Sequence, residues 1–189
     1  MQLRSMSGKA VVVLLVIAGA VALAIGVGLS MYLNKSPQTE KPVIKSTTIV
    51  GSKRPGFSMK DVEGKPHNIS EFDGQVLIVN FWATWCPPCR REIPAFIELQ
   101  DTFGKDGFQV IGVAIDEKDA VTDYTDGLGV NYPVMLGNST ALKISAAYGN
   151  RFGQLPYSLI IDRKGIIRFI GKRELSFKDI EEQIKPLLK

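Results

Sequence analysis

The chain of 189 residues reads as an α/β protein: a mixed sheet with helices on both faces, carried behind one transmembrane helix. Three observations predict this. An uncharged apolar run lies near the amino terminus. Two continuous apolar stretches further on read as buried strands. From residue 56 onward, strand patterns alternate with helical ones. Hydrophobic residues make up 45% and charged residues 22%, which excludes a disordered or collagen-like chain. Two Cys and one His cannot supply a four-ligand zinc site, so no metal is expected. A net charge of +4 with no basic run interleaved with aromatics gives no reason to expect nucleic-acid binding.

The first element is Ala10 to Leu29, built only of Ala, Val, Leu, Ile and Gly. At about 1.5 Å per helical residue it spans a hydrocarbon layer of ~30 Å. It is longer than the usual apolar core of a cleaved signal, and a soluble core helix of this length would need a polar face. We therefore read residues 1–9 as a short cytoplasmic tail and 10–33 as an uncleaved signal anchor. Small residues at Ala18, Ala20, Ala22 and Ala24 leave cleavage as the alternative. Flanking positive charge is nearly balanced, with Arg4 and Lys9 before the span and Lys35, Lys41 and Lys45 after it. A long domain crosses largely regardless of charge, so the bulk of the chain is expected outside the cytoplasmic membrane.

Residues 34–55, with Pro37, Pro42 and Pro55, read as a linker, and 56–189 as the folded domain. Phe57 to Met59 and His67 to Ile69 flank a Gly-containing turn and predict a hairpin. Gln75 to Trp82 and Phe108 to Ile115 predict buried strands. Pro88 to Phe103 predicts a helix burying Ile93, Phe96, Ile97 and Leu99. Asp116 to Leu128 is a polar helix and Pro133 to Leu136 a short strand, followed by a helix from Ser139 to Tyr148 capped by Ser139. Ser158 to Asp162 and Ile166 to Ile170 form a strand–turn–strand pair. Phe177 to Leu188 is a closing helix with Ser176 as N-cap. His67 is expected in a turn or at the surface. Asn68-Ile69-Ser70 and Asn138-Ser139-Thr140 are expected to start a turn and a helix rather than to carry glycans.

The chemistry points to Cys86-Pro87-Pro88-Cys89, at the junction of a buried strand and a helix. Pro88 suits a first helical turn. Cys86 then lies at the helix N-terminus, where free N–H groups and the helix dipole stabilise a thiolate. Cys89, one turn on, is near enough to form a disulfide with it. Cys86 is expected to attack a substrate disulfide, and Cys89 to resolve the mixed disulfide. Half of a metal site would lack its other half. A purely structural disulfide closing so short a loop would add little stability.

The stretch Asn80-Phe81-Trp82-Ala83-Thr84-Trp85-Cys86-Pro87-Pro88-Cys89-Arg90-Arg91-Glu92-Ile93-Pro94 resembles the membrane-tethered TlpA/ResA/CcmG (DsbE-like) group of the thioredoxin superfamily. The helix from Glu117 to Leu128 resembles the insertion that sets this group apart from plain thioredoxin. The resemblance implies a thioredoxin-like fold, with Leu155-Pro156 as the cis-proline loop beside Cys86. It also implies a kink at Pro94 and a substrate groove drawing on Trp85, Pro87, Leu155 and Tyr157. Asn80 stands where thioredoxin has a buried Asp, so Glu92 is expected to handle protons for Cys89. The alternative makes Glu92 a first-turn acid that favours the helix dipole. Tyr157 is expected to narrow the groove, Trp82 and Trp85 to shield the site, and Arg90 and Arg91 to favour the thiolate.

The resemblance further implies a thiol-disulfide oxidoreductase on the outer face of a bacterial cytoplasmic membrane. No cofactor is expected beyond the Cys86–Cys89 pair. Substrates would be thiols of exported proteins, such as apocytochrome c before haem attachment, and electrons would come from a membrane donor of CcdA/DsbD type. A Pro-Pro pair without His predicts a reducing potential. The alternatives are an oxidase or isomerase using the same cysteines, a non-catalytic binding module, and a peroxidase. A peroxidase would require a Thr three residues before its cysteine, where this chain has Ala83.

Overall fold

In the computed structural model, which describes residues 49–189, the two apolar stretches read as buried strands lie side by side in the middle of the sheet. The tail, the apolar run read as a membrane anchor and most of the linker lie outside the described residues. Among the described residues no helix is long and apolar enough to cross a membrane.

Seven strands run in the order β2-β1-β5-β4-β3-β6-β7. They are β1 (Ser58–Asp61), β2 (Pro66–Asn68), β3 (Val76–Trp82), β4 (Phe108–Ala114), β5 (Val134–Leu136), β6 (Tyr157–Ile161) and β7 (Ile167–Gly171). The central strands β3, β4 and β5 are parallel. The outer pairings β1/β2, β1/β5, β3/β6 and β6/β7 are antiparallel. Among the described residues four α-helices accompany them, the last following β7: α1 (Pro87–Phe103), α2 (Lys118–Leu128), α3 (Asn138–Ala147) and α4 (Phe177–Leu188).

Every residue of β3 is buried, as a strand covered on both faces requires. Its side chains alternate between two cores. Val76, Ile78 and Trp82 join Ile93, Phe96 and Leu99 of α1, Val121 of α2, and Ile180 and Ile184 of α4. Leu77, Val79 and Phe81 join Ala141 of α3 with Tyr148, Tyr157, Leu159 and Ile161 on the opposite face. Each of these fully buried aliphatic side chains contributes roughly 1.5–3 kcal/mol relative to exposure.

Helix α4 starts as the sequence predicts. Ser176 accepts from the amide of Asp179, and the Asp179 side chain bonds back to the Ser176 amide. The expectation for α3 needs correcting. Its N-cap is Gly137, with no side-chain cap, and Ser139 lies inside the helix. Asn138 instead donates to Glu117 at 2.8 Å. His67 is also not a surface residue. It is buried in β2 between Asp61 (2.8 Å) and Glu71 (3.0 Å), and their carboxylates raise its pKa. Asn68 begins a 3-10 turn over Ile69–Phe72 with a capping box to Glu71. The last residues read as linker are bonded to the sheet. The Gly51 amide donates to Ile167, the Ile167 amide to Ser52 and the Arg54 amide to Gly165.

Candidate active site

Strand β3 ends at Trp82, and five residues later α1 begins with its two prolines. Cys86 is the N-cap of α1, in extended conformation, and its sulfur accepts from the Cys89 amide at 3.3 Å. Cys86 and Cys89 are joined as a disulfide, with Cα atoms 5.3 Å apart. Cys86 keeps a little exposure (4%), whereas Cys89 is fully enclosed. Only the first sulfur is placed to meet a partner, and the helix N-terminus favours negative charge on it.

The turn before Cys86 is pinned by a residue that the sequence reading passed over. Asp116, two residues past β4, accepts from the Thr84 amide at 2.8 Å and from the Thr84 hydroxyl at 2.5 Å. Burial alone would raise the Asp116 carboxyl. The hydrogen bonds from Thr84 and the Glu117 amide outweigh it and hold the group below its ordinary pKa. The one signal in the sequence was an acidic residue directly after an apolar strand.

Behind the disulfide lies a buried polar cluster. Glu92 is 1% exposed and six residues into α1, so it is not a first-turn acid. It accepts from Asn80 at 2.7 Å and from the Leu175 amide at 3.1 Å. Asn80 also donates to Ser158 of β6 at 2.9 Å. Burial pushes the Glu92 carboxyl up to about 8, against the pull of the Leu175 and Asn80 hydrogen bonds. Glu92 follows Cys89 by three residues, a spacing that puts neighbours on one helix face.

Leu155-Pro156 is a cis peptide, as the resemblance implied. It leads into β6, whose register pairs Tyr157 with Phe81 and brings this loop beside the end of β3. Leu155 is half-buried and touches both cores. The groove role expected of Tyr157 is overturned. Its side chain is 1% exposed, and its hydroxyl donates to the Tyr148 carbonyl at 2.8 Å. Alternation along β6 is the reason. Ser158 and Ile160 face α1, so Tyr157 must face the other core. Trp85 does not shield the site either, being 65% exposed, whereas Trp82 is buried. Pro87 is exposed. Arg91 is paired with Glu174 at 2.7 Å, and the Arg90 guanidinium lies 5.3 Å above the Tyr124 ring. Pro94 lies inside α1, which continues past it to Phe103. Among the described residues no group of three or more His, Cys, Asp or Glu side chains is placed to hold a metal ion.

Comparison with known proteins agrees with this geometry. A family model described as AhpC/TSA matches residues 50–170. The chain belongs to the AhpC/TSA family. Within the thioredoxin superfamily it groups with the TlpA/ResA/CcmG-like proteins. It is 33% identical over 146 residues to the thiol-disulfide oxidoreductase ResA of Geobacillus thermodenitrificans, covering 75% of this chain and 82% of the relative. It is 32% identical over 182 residues to ResA of Bacillus anthracis, covering 95% and 92%. A thiol:disulfide interchange protein of the thioredoxin family from Chlorobium tepidum matches in structure with a TM-score of 0.67 and 33% identity. That match covers 72% of this chain and 96% of the other. The family member described here is thus a thiol-disulfide oxidoreductase of ResA/DsbE type on a thioredoxin-like fold.

Proposed function

We propose that this protein is a membrane-anchored reductant of disulfides in exported proteins, working through Cys86 and Cys89. The observation that carries this reading is the placement of the two sulfurs. One caps a helix at the surface, and its partner is sealed behind it. In the reduced enzyme the Cys86 thiolate attacks one sulfur of a substrate disulfide. That S–S bond breaks, and the departing sulfur takes up a proton. Cys89 then loses its proton and attacks the Cys86 sulfur, and the second substrate sulfur leaves as a thiol. Two electrons have passed to the substrate, and the enzyme is left as the disulfide described above.

Glu92 is the proposed proton acceptor for Cys89, directly or through water. Its carboxyl, raised to about 8, is close to the ~8.5 of an ordinary thiol, the match that proton transfer favours. Trp85, Pro87 and the Leu155-Pro156 segment are the proposed docking surface, since Trp85 and Pro87 are exposed beside Cys86.

The apolar run Ala10 to Leu29 supports an anchor in a bacterial cytoplasmic membrane with the domain outside. Apocytochrome c is the proposed substrate and a CcdA/DsbD-type protein the proposed electron donor, on the family resemblance. A peroxidase is disfavoured because Ala83 stands where its Thr would be, and the nearby Thr84 hydroxyl is engaged by Asp116. The test is trapping with Cys89→Ala in the membrane fraction, which stops the cycle at the mixed disulfide. Recovery of a haem-protein precursor supports cytochrome maturation. Many unrelated secreted proteins would point to general reduction, and no covalent partner would overturn the reading.

A further inference from the structure

Pro94 leaves a gap in α1. A proline has no N–H, so the carbonyl four residues earlier, that of Arg90, loses its helical donor. Arg90 directly follows Cys89. The missing donor comes from another helix, because the Tyr124 hydroxyl of α2 donates to the Arg90 carbonyl at 3.3 Å. The same ring lies beneath the Arg90 guanidinium at 5.3 Å and beside the Trp82 ring at 5.7 Å. Trp82 ends the strand that leads into the cysteines, and Arg90 belongs to the helical turn that leads out of them. One side chain thus touches both flanks of the disulfide. Pro87, Arg90, Arg91 and Tyr124 together line an open cleft of about 310 Å³ over that first turn.

We propose that Tyr124 is a positioning residue of the redox centre, bridging Trp82 and Arg90 so that the first turn of α1 stays fixed around Cys86 despite the break at Pro94. Without this bridge, Tyr124 would not replace the helical hydrogen bond that Pro94 removes from this turn. The amide and dipole stabilisation of a Cys86 thiolate depends on the position of that turn. The ring also seats the Arg90 cation next to the centre. A contact of 3.3 Å is long for a hydroxyl donor, so the effect should be tenths of a pKa unit rather than several units.

The inference rests on Cys86 being the attacking thiol. The test is the pH dependence of Cys86 alkylation in the reduced full-length chain, with the modified residue identified by mass spectrometry. Tyr124→Phe keeps the ring and removes the hydroxyl. It should raise the half-titration point by about 0.3–0.5 unit, a two- to threefold loss of thiolate below that point. Pro94→Ala restores the helical donor to the Arg90 carbonyl. In that background Tyr124→Phe should have less than about half of its effect, whereas a merely structural Tyr124 would show the same effect in both. An unchanged titration in Tyr124→Phe, or an effect undiminished by Pro94→Ala, would overturn the role of Tyr124 alone. A wild-type Cys86 titrating like a free thiol would overturn both this role and the proposed function.

Discussion

Asn80 and Glu92 meet across the interface of β3 and α1 through a hydrogen bond of 2.7 Å, with Asn80 at the strand position where, by the resemblance, thioredoxin carries a buried Asp. The titratable group has moved from strand to helix, and Asn80 holds it while also gripping Ser158.

This arrangement makes stability depend on pH. A Glu outside the fold titrates near 4.5, and Glu92 in the fold titrates near 8. Its folded pKa is raised, so its contribution is complete below pH 4.5 and is lost as pH rises through 8. Unfolding free energy of the oxidised chain should fall across that window, by on the order of 3–5 kcal/mol from this group. Glu92→Gln should flatten the slope. Urea unfolding between pH 4.5 and 8.5 checks this, and equal slopes in the two proteins would refute it.

Asp116 should anchor the turn that carries Cys86. Asp116→Ala leaves the Thr84 amide and hydroxyl without their acceptor and should cost about 1–3 kcal/mol by urea unfolding at pH 7. Because its pKa is depressed, its contribution is present above pH 3.8 and is lost as pH falls through the folded value. A variant as stable as wild type at pH 7 would remove Asp116 from this role.

Trp85 stands 65% exposed next to Cys86 and packs little of its ring into the fold. Trp85→Ala should leave stability within about 0.5 kcal/mol of wild type. Reduction of insulin should slow several-fold, while reduction of a small aromatic disulfide stays near wild type. Equal slowing on both substrates would mean that Trp85 tunes the sulfur rather than docks the protein.

Tyr157 makes the opposite prediction. Tyr157→Phe removes its hydrogen bond to the buried Tyr148 carbonyl and should cost about 1 kcal/mol of stability. Since the side chain faces away from α1, KM for a protein disulfide should not change. A raised KM would restore Tyr157 to the groove.

The sequence carried the redox pair because its signals are local. Strand β3, the two prolines and the cysteine spacing all lie within fifteen residues, and each has its own physical reading. The order of strands and helices was legible from apolar runs and caps such as Ser176. What escaped were relations between distant segments. Asp116 lies 32 positions from Thr84, and the Tyr124 hydroxyl reaches a carbonyl 34 positions away. The motif around Pro156 marks the backbone of Tyr157 and says nothing of where its ring goes. The alternation Tyr157, Ser158, Leu159 would have turned its ring to the other core. The burial of His67 likewise depends on two carboxylates, neither of them adjacent to it in the chain.

The bonding of Gly51 to Arg54 along the start of β7 has a consequence for solubility. One rim of the sheet is partly capped by the incoming chain. The other rim is β2, only three residues long and begun by Pro66, which has no donor to offer. Neither border gives a neighbouring copy a long row of free backbone groups on which to polymerise. That protection matters under the proposed function, in which the domain meets exported protein chains that could otherwise add to an open sheet.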